Sequence, residues 1–298
     1  MWLSLAFASA MLLGLYDAAK KRALRDNAVI PVLLLNTIFC SLIFLPPLLS
    51  AELSLGWFDG TVLSSTQGSL HEHLLIVAKS ALVLSSWIFG YYAIKHLPLT
   101  IVGPINSIRP ILVLIGAMTV FGERPNLWQW AGIALALLSL YLLSRSSRRD
   151  GIDFRRNVWI WALAAATLLG AASGLYDKFV VSKLNPVFVQ SWFCIYQAAM
   201  MTVIAAVIWY PDRHRAPLKW NRAIPLISVF ICCADFCYYQ ALSRPEAMIS
   251  IVSMIRRSSV IVSFACGALL FGERNLRAKF LDLLLILAGM VLLYIGSH

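Results

Sequence analysis

A small set of ionisable side chains sits inside long apolar runs, and any chemistry of this chain would have to be done there. Arg109, Arg256 and Arg257 lie deep in such runs, and Asp17, Asp177, Asp235 and Lys79 share the same setting. A charge in hydrocarbon costs about 2.5–3.5 kcal/mol on insertion scales, so each should face a bundle interior or a watery cavity. A planar guanidinium matches a carboxylate or phosphate with two parallel hydrogen bonds. The three arginines therefore suit a ligand with an anionic group. The three aspartates would bind a cation, relay protons or balance the arginines. Two plainer readings stand beside these. The arginines could close internal salt bridges with Asp17, Asp177 or Asp235. Asp17 and Asp177 could pair locally with Lys20 and Lys178 near a helix end.

Polar neighbours extend the candidate set. Asn106, Ser107, Pro104 and Pro110 surround Arg109, and each proline removes a backbone donor. Tyr16 and Tyr176 directly precede the paired aspartates, and Tyr92, Tyr239, Trp87 and Gln197 complete the candidate lining. Hydrogen bonding between helices is the alternative for Gln197, and snorkelling to the interface is the alternative for Lys79. Glu123 and Glu273 could act as a gate or hinge, or simply close a helix with interfacial charge.

Catalytic signatures are lacking. No Walker loop, dinucleotide fingerprint or metal-spaced histidine set is present. Cys233 and Cys237 stand one helical turn apart beside Asp235 and offer two thiolates, fewer than the three or four ligands of an ordinary zinc site. All six cysteines lie in apolar runs and read as buried small hydrophobes. His71 and His73 flank Glu72 and read as a surface loop cluster. No enzyme activity, cofactor or metal is expected.

The elements that must position these residues follow from composition. Of 298 residues, 60% are hydrophobic and 13% charged, and the mean hydropathy is +0.78. That leaves too little polar surface for a water-soluble globule of this size. Ten apolar segments can be drawn, near 2–19, 30–50, 72–94, 98–121, 127–143, 157–181, 186–210, 222–241, 246–271 and 279–296. Each is long enough for a helix, and the run at 1–15 lacks a basic start, so it reads as a first span and not as a cleaved leader.

The chain also repeats itself. Gly14-Leu15-Tyr16-Asp17 recurs as Gly174-Leu175-Tyr176-Asp177, Tyr91-Tyr92 as Tyr238-Tyr239, and Phe121-Gly122-Glu123-Arg124 as Phe271-Gly272-Glu273-Arg274. Three matches in the same order indicate a duplicated five-span unit. The tyrosine match places Arg109 on Arg256. Five is odd, so the second copy enters the membrane from the opposite side, as in transporters with inverted repeats. The expected fold is an all-α integral membrane protein of ten transmembrane helices, two inverted five-helix repeats around a central cavity. The repeats span 1–144 and 157–298, joined by a basic linker at 145–156.

The net charge of +11 reads as topology and not as a nucleic-acid surface. Of 25 Lys and Arg, 17 fall in the loops on one side, 3 in those on the other, and 5 within or near spans. This places a multi-pass protein in the cytoplasmic membrane with both termini outside. Tryptophans near span ends (Trp2, Trp57, Trp128, Trp130, Trp209, Trp220) form the expected interfacial belt, whereas Trp87 and Trp192 lie deeper.

Two five-span units, each with a Phe-Gly-Glu-Arg closing and a last apolar helix rich in small residues, resemble the EamA family of the drug/metabolite transporter superfamily. The resemblance covers essentially the whole chain. It implies a ten-helix basket whose cavity is lined by helices 1–4 and 6–9, with helices 5 and 10 peripheral. It also implies cytoplasmic termini, the reverse of the loop-charge reading. The expected function is secondary active transport of a small polar or charged organic metabolite by alternating access. A flippase for a lipid-linked intermediate on the same fold is the alternative, and a membrane enzyme or assembly scaffold a remoter one. Expected partners are the metabolite and membrane lipids, with a homodimer allowed and no nucleic acid.

Overall fold

A computed structural model describes residues 2–106, 108–109, 111–112, 126–148, 156–181, 183–211, 213, 218–243, 252, 255–256, 258–271 and 276–296. The described residues form ten helices and no strands. In chain order they are α1 (Trp2–Leu24), α2 (Val29–Glu52), α3 (Leu70–His96), α4 (Leu99–Asn106), α5 (Leu127–Arg148), α6 (Val158–Val181), α7 (Pro186–Ile208), α8 (Ala223–Leu242), α9 (Ser259–Leu270) and α10 (Leu276–Gly296). Six of them, α1–α3 and α6–α8, are long and apolar enough to cross a membrane. A helix of 20 residues spans about 30 Å, the thickness of the hydrocarbon core.

The helix ends follow local chemistry. Ser69 caps α3, accepting from the Glu72 amide while the Glu72 carboxylate accepts from the Ser69 amide. His71 and His73 thus lie in the first turn of α3 and not in a loop. Asn185 caps α7, accepting from the amides of Val187 and Phe188, with Pro186 at the first helical position, where no donor is needed.

Packing is set by helix pairs. α1 lies against α8 and α9, α3 against α6 and α7, and α2 against α7 and α8. α4 packs on α9, and α5 on α10 at the periphery. Buried serines staple two of these pairs. The Ser9 hydroxyl of α1 donates to the Ala234 carbonyl of α8 at 2.7 Å, and Ser86 of α3 donates to Ala166 of α6 at 2.8 Å. In apolar surroundings such bonds leave no polar group unmet. Large apolar side chains such as Phe7, Met11, Leu74, Val203, Val207 and Leu269 are exposed on the outside of the bundle. This is the surface of a multi-pass membrane protein, which lipid covers.

Cysteine placement differs in part from expectation. Cys40, Cys194 and Cys232 are buried, but Cys233 is exposed and Cys237 and Cys266 are half-buried. An apolar exterior accommodates a thiol as readily as a core does, so burial does not follow from apolar context here. Among the described residues, no group of three or more His, Cys, Asp or Glu is placed to hold a metal.

Candidate functional site

A cavity of about 180 Å³ lies at the centre of the bundle, walled by α1, α3, α4, α6, α7, α8 and the chain around α9. Among the described residues, none of α2, α5 or α10 lines it. Of the residues singled out from sequence, Arg109, Arg256, Asn106, Tyr16, Tyr239, Trp87, Asp17, Asp177 and Asp235 line it. Three fall outside. The Tyr176 hydroxyl donates to the Leu75 carbonyl, Tyr92 stacks on Trp159 at 6.0 Å, and Gln197 is buried away from the cavity. Arg257, Ser107, Pro110, Glu123 and Glu273 lie outside the described residues, as does the Lys178 side chain.

The two arginines stand at matched interruptions. The described part of α4 reaches Asn106, and around Arg109 the Ile108 amide bonds Ile105 and the Ile111 amide bonds Ile108, both tight three-residue closures, while the Leu112 amide also reaches Ile108. Ahead of α9, the Ser258 amide bonds Ile255 in the same way. Such tightening interrupts the regular ladder, and it sets Arg109 and Arg256 at corresponding points of the cavity wall.

Charges in the cavity are mostly paired. Lys20 and Asp17 form an ion pair at 3.0 Å within α1, and Ser263 of α9 donates to the other Asp17 oxygen at 3.1 Å. Lys79 of α3 pairs with Asp177 of α6 and donates to the Tyr239 hydroxyl of α8 at 2.8 Å. Arg256 pairs with Asp235 and lies over the Tyr238 ring at 4.1 Å. Arg109 is different. Its Nε is buried without a hydrogen-bond partner, and no carboxylate pairs with it among the described residues. Thr167 of α6 donates to the Asn106 side-chain oxygen at 3.1 Å, fixing the residue one turn before Arg109.

Gly90, Gly170, Ser173 and Ser259 line the wall without having been singled out from sequence. Lys20, the expected local partner of Asp17, is buried in α1, which continues to Leu24. Its ammonium sits 4.3 Å from the Tyr16 ring and 5.0 Å from that of Tyr91. Lys79 is 1% exposed and does not snorkel. On α6, Gly170, Ser173, Gly174 and Asp177 share one face toward the cavity. Their spacing of three and four residues was the available signal.

The matched glycines have opposite surroundings. A Cβ on Gly14 would stand 2.3 Å from Val262 Cβ and 3.0 Å from the Ser259 carbonyl, so α1 and α9 touch through this glycine. A Cβ on Gly174 would meet nothing within 4 Å. Gly14→Ala should therefore destabilise the protein by about 1–3 kcal/mol through overpacking. Gly174→Ala should be neutral or gain up to about 1 kcal/mol of helix propensity. Thermal unfolding of the two purified variants checks this, and equal midpoints would refute it.

The EamA-like transporter family matches residues 1–145 and 157–295. Over 50 residues the chain is 42% identical to a Pectobacterium atrosepticum protein described as a probable 4-amino-4-deoxy-L-arabinose-phosphoundecaprenol flippase subunit, ArnE. That match takes in 17% of this chain and spans 44% of the relative's length. A solved crystal structure shares the fold with a TM-score of 0.61 at 17% identity, over 97% of this chain and 98% of that one. With two family matches covering nearly the whole sequence of a multi-pass helical bundle, the chain belongs to the EamA family of the drug/metabolite transporter superfamily, whose members are transporters and not enzymes.

Proposed function

We propose that the protein is a secondary active transporter of a small organic metabolite carrying an anionic group, working by alternating access across the cytoplasmic membrane. The observation that carries this reading is Arg109, a guanidinium in the wall of a central cavity that pairs with no carboxylate among the described residues. Low-dielectric surroundings make such a charge costly when unmet, so a ligand that pairs with it binds with advantage. Asp17, Asp177 and Asp235 balance the other cations. Tyr16, Tyr239, Trp87 and Asn106 shape the site around the ligand.

Alternating access rests on two inverted five-helix repeats, and the helix pairings support that architecture. Exchanging each helix with its counterpart five places along turns the α1–α8 pair into α6–α3 and the α2–α8 pair into α7–α3. The α2–α7, α4–α9 and α5–α10 pairs map onto themselves. The mouths carry a matching feature. Asn27, after α1, holds the Lys219 backbone by two bonds, donating to its carbonyl at 3.0 Å and accepting from its amide at 2.7 Å. Asn185, after α6, donates to the Ser64 carbonyl at 3.3 Å. One of these latches is doubly bonded and the other singly. With Gly14 clamped and Gly174 open, this is the asymmetry expected of a transporter resting in one of two states.

The direct test is solute flux. Vesicles containing the protein, loaded with a mixed metabolite extract, should release a defined anionic solute that protein-free vesicles retain. Equal retention of all solutes would defeat the reading. Orientation is tested separately, because the loop charges favour both termini outside. A reporter active only in the cytoplasm, fused after His298, should be silent, and activity there would reverse the assignment. A flippase for a lipid-linked intermediate is the second reading, favoured by the local similarity to the ArnE subunit. It predicts movement of a lipid-linked anion and none of soluble ones.

A further inference from the structure

We infer that the cavity takes a singly charged oxyanion, with the charged group on Arg109 and the uncharged body against the open helix backbone at Gly174. This rests on the transporter reading and names the substrate class of the same site.

The charge of the ligand follows from the pairing. Lys20, Lys79 and Arg256 each have an aspartate, in Asp17, Asp177 and Asp235, and Arg109 has none among the described residues. Among the described residues, the ionised wall therefore carries one positive charge in excess. A monoanion brings that set to neutrality, whereas a dianion leaves one buried negative charge uncompensated. The Arg109 Nε hydrogen adds a donor that no described residue meets. The Arg256 Nε is also unmet, but that guanidinium is already engaged by Asp235.

Where the body lies follows from α6. The Arg109 guanidinium rests on Gly170, where a Cβ would come within 2.5 Å of its Cζ. Gly174 lies one turn further along the same face, about 6 Å away. A glycine inside a helix costs about 1 kcal/mol relative to alanine. At Gly14 close packing on α9 explains the residue, but at Gly174 a Cβ would meet nothing within 4 Å. Gly174 lines the cavity, as do Trp87 and Phe193. The cavity of about 180 Å³ has room for the charged group and a small uncharged body beside it.

The test is thermal unfolding of the purified full chain in detergent with probes that differ only in charge. One set is benzamide, benzoate and phthalate, another butyramide, butyrate and succinate, and a lipid-like monoanion is represented by methyl geranyl phosphate. Ligands favouring the folded state raise the midpoint. Only monoanions should do so. The rise should vanish in Arg109→Gln and weaken at least tenfold in apparent affinity in Gly174→Leu, with Gly174→Ala as the folding control. A response confined to methyl geranyl phosphate keeps the charge assignment and makes the source a lipid. Stronger responses to phthalate or succinate, or responses surviving Arg109→Gln or Gly174→Leu, overturn the inference while leaving the transporter reading to the flux assay. Silence from every probe overturns the oxyanion site outright.

Discussion

Replacing Arg109 with alanine should abolish transport and leave the protein folded. The expectation combines two facts that seldom coincide at a buried arginine. The side chain reaches the central cavity, and among the described residues it has no carboxylate partner whose charge its loss would strand. A hydrogen bond to a charged group is worth about 1.5–3 kcal/mol, and two such bonds to one oxyanion would weaken binding on the order of a hundredfold or more when removed. Folding should hold, because deleting a buried unmet donor removes a cost as well as some packing. Arg256→Ala offers the contrast. It lines the same cavity but would orphan Asp235, so loss of flux there should come with loss of stability. Gly170→Ala should act as a milder form of Arg109→Ala, since its Cβ would push the guanidinium aside without touching backbone. Flux measured beside the unfolding midpoint separates these cases, and normal flux by Arg109→Ala would defeat the anion-site reading.

How far the sequence reveals this arrangement depends on the kind of signal. Apolar runs gave the helices, because a span has a length fixed by the bilayer and its ends carry polar residues, as at Ser69 and Asn185. Buried charge revealed the cavity, because Arg109, Arg256 and the three aspartates had nowhere else to go. Rotation about each helix axis was not legible. Helices apolar on every side give no period from which to tell a cavity-facing tyrosine from a packed one, so Tyr16 and Tyr239 face the site while Tyr176 and Tyr92 do not. The Asp17–Lys20 pair was legible as spacing within one turn, but its burial was not: Lys20 begins the run Lys20, Lys21, Arg22, which looks like an interfacial collar, yet it lies inside the bundle. The glycine face of α6 was visible as spacing, but only the structure separates the clamped Gly14 from the open Gly174.

The second large effect should come from Lys79 and Asp177, and it concerns folding before transport. Their ion pair joins α3 to α6, and the same ammonium donates to Tyr239 of α8, so three helices meet at one buried charge. Lys79 is 1% exposed, too deep for water to screen a stranded partner. Either Lys79→Met or Asp177→Leu should cost about 3–5 kcal/mol, the usual consequence of leaving one member of a buried pair alone. In detergent this should appear as a midpoint lowered by roughly 10 °C. Combining the two changes should restore most of that loss, because removing both charges also removes the cost of desolvating them. A double variant no more stable than the singles would refute the pairing as the source of the effect. The combined variant also separates balance from coupling. It leaves Arg109 as the one uncompensated cation of the described wall, so if Asp177 serves to neutralise Lys79, flux should return along with the fold. Flux that stays absent in a refolded double variant would instead assign Asp177 a part in coupling transport to protons.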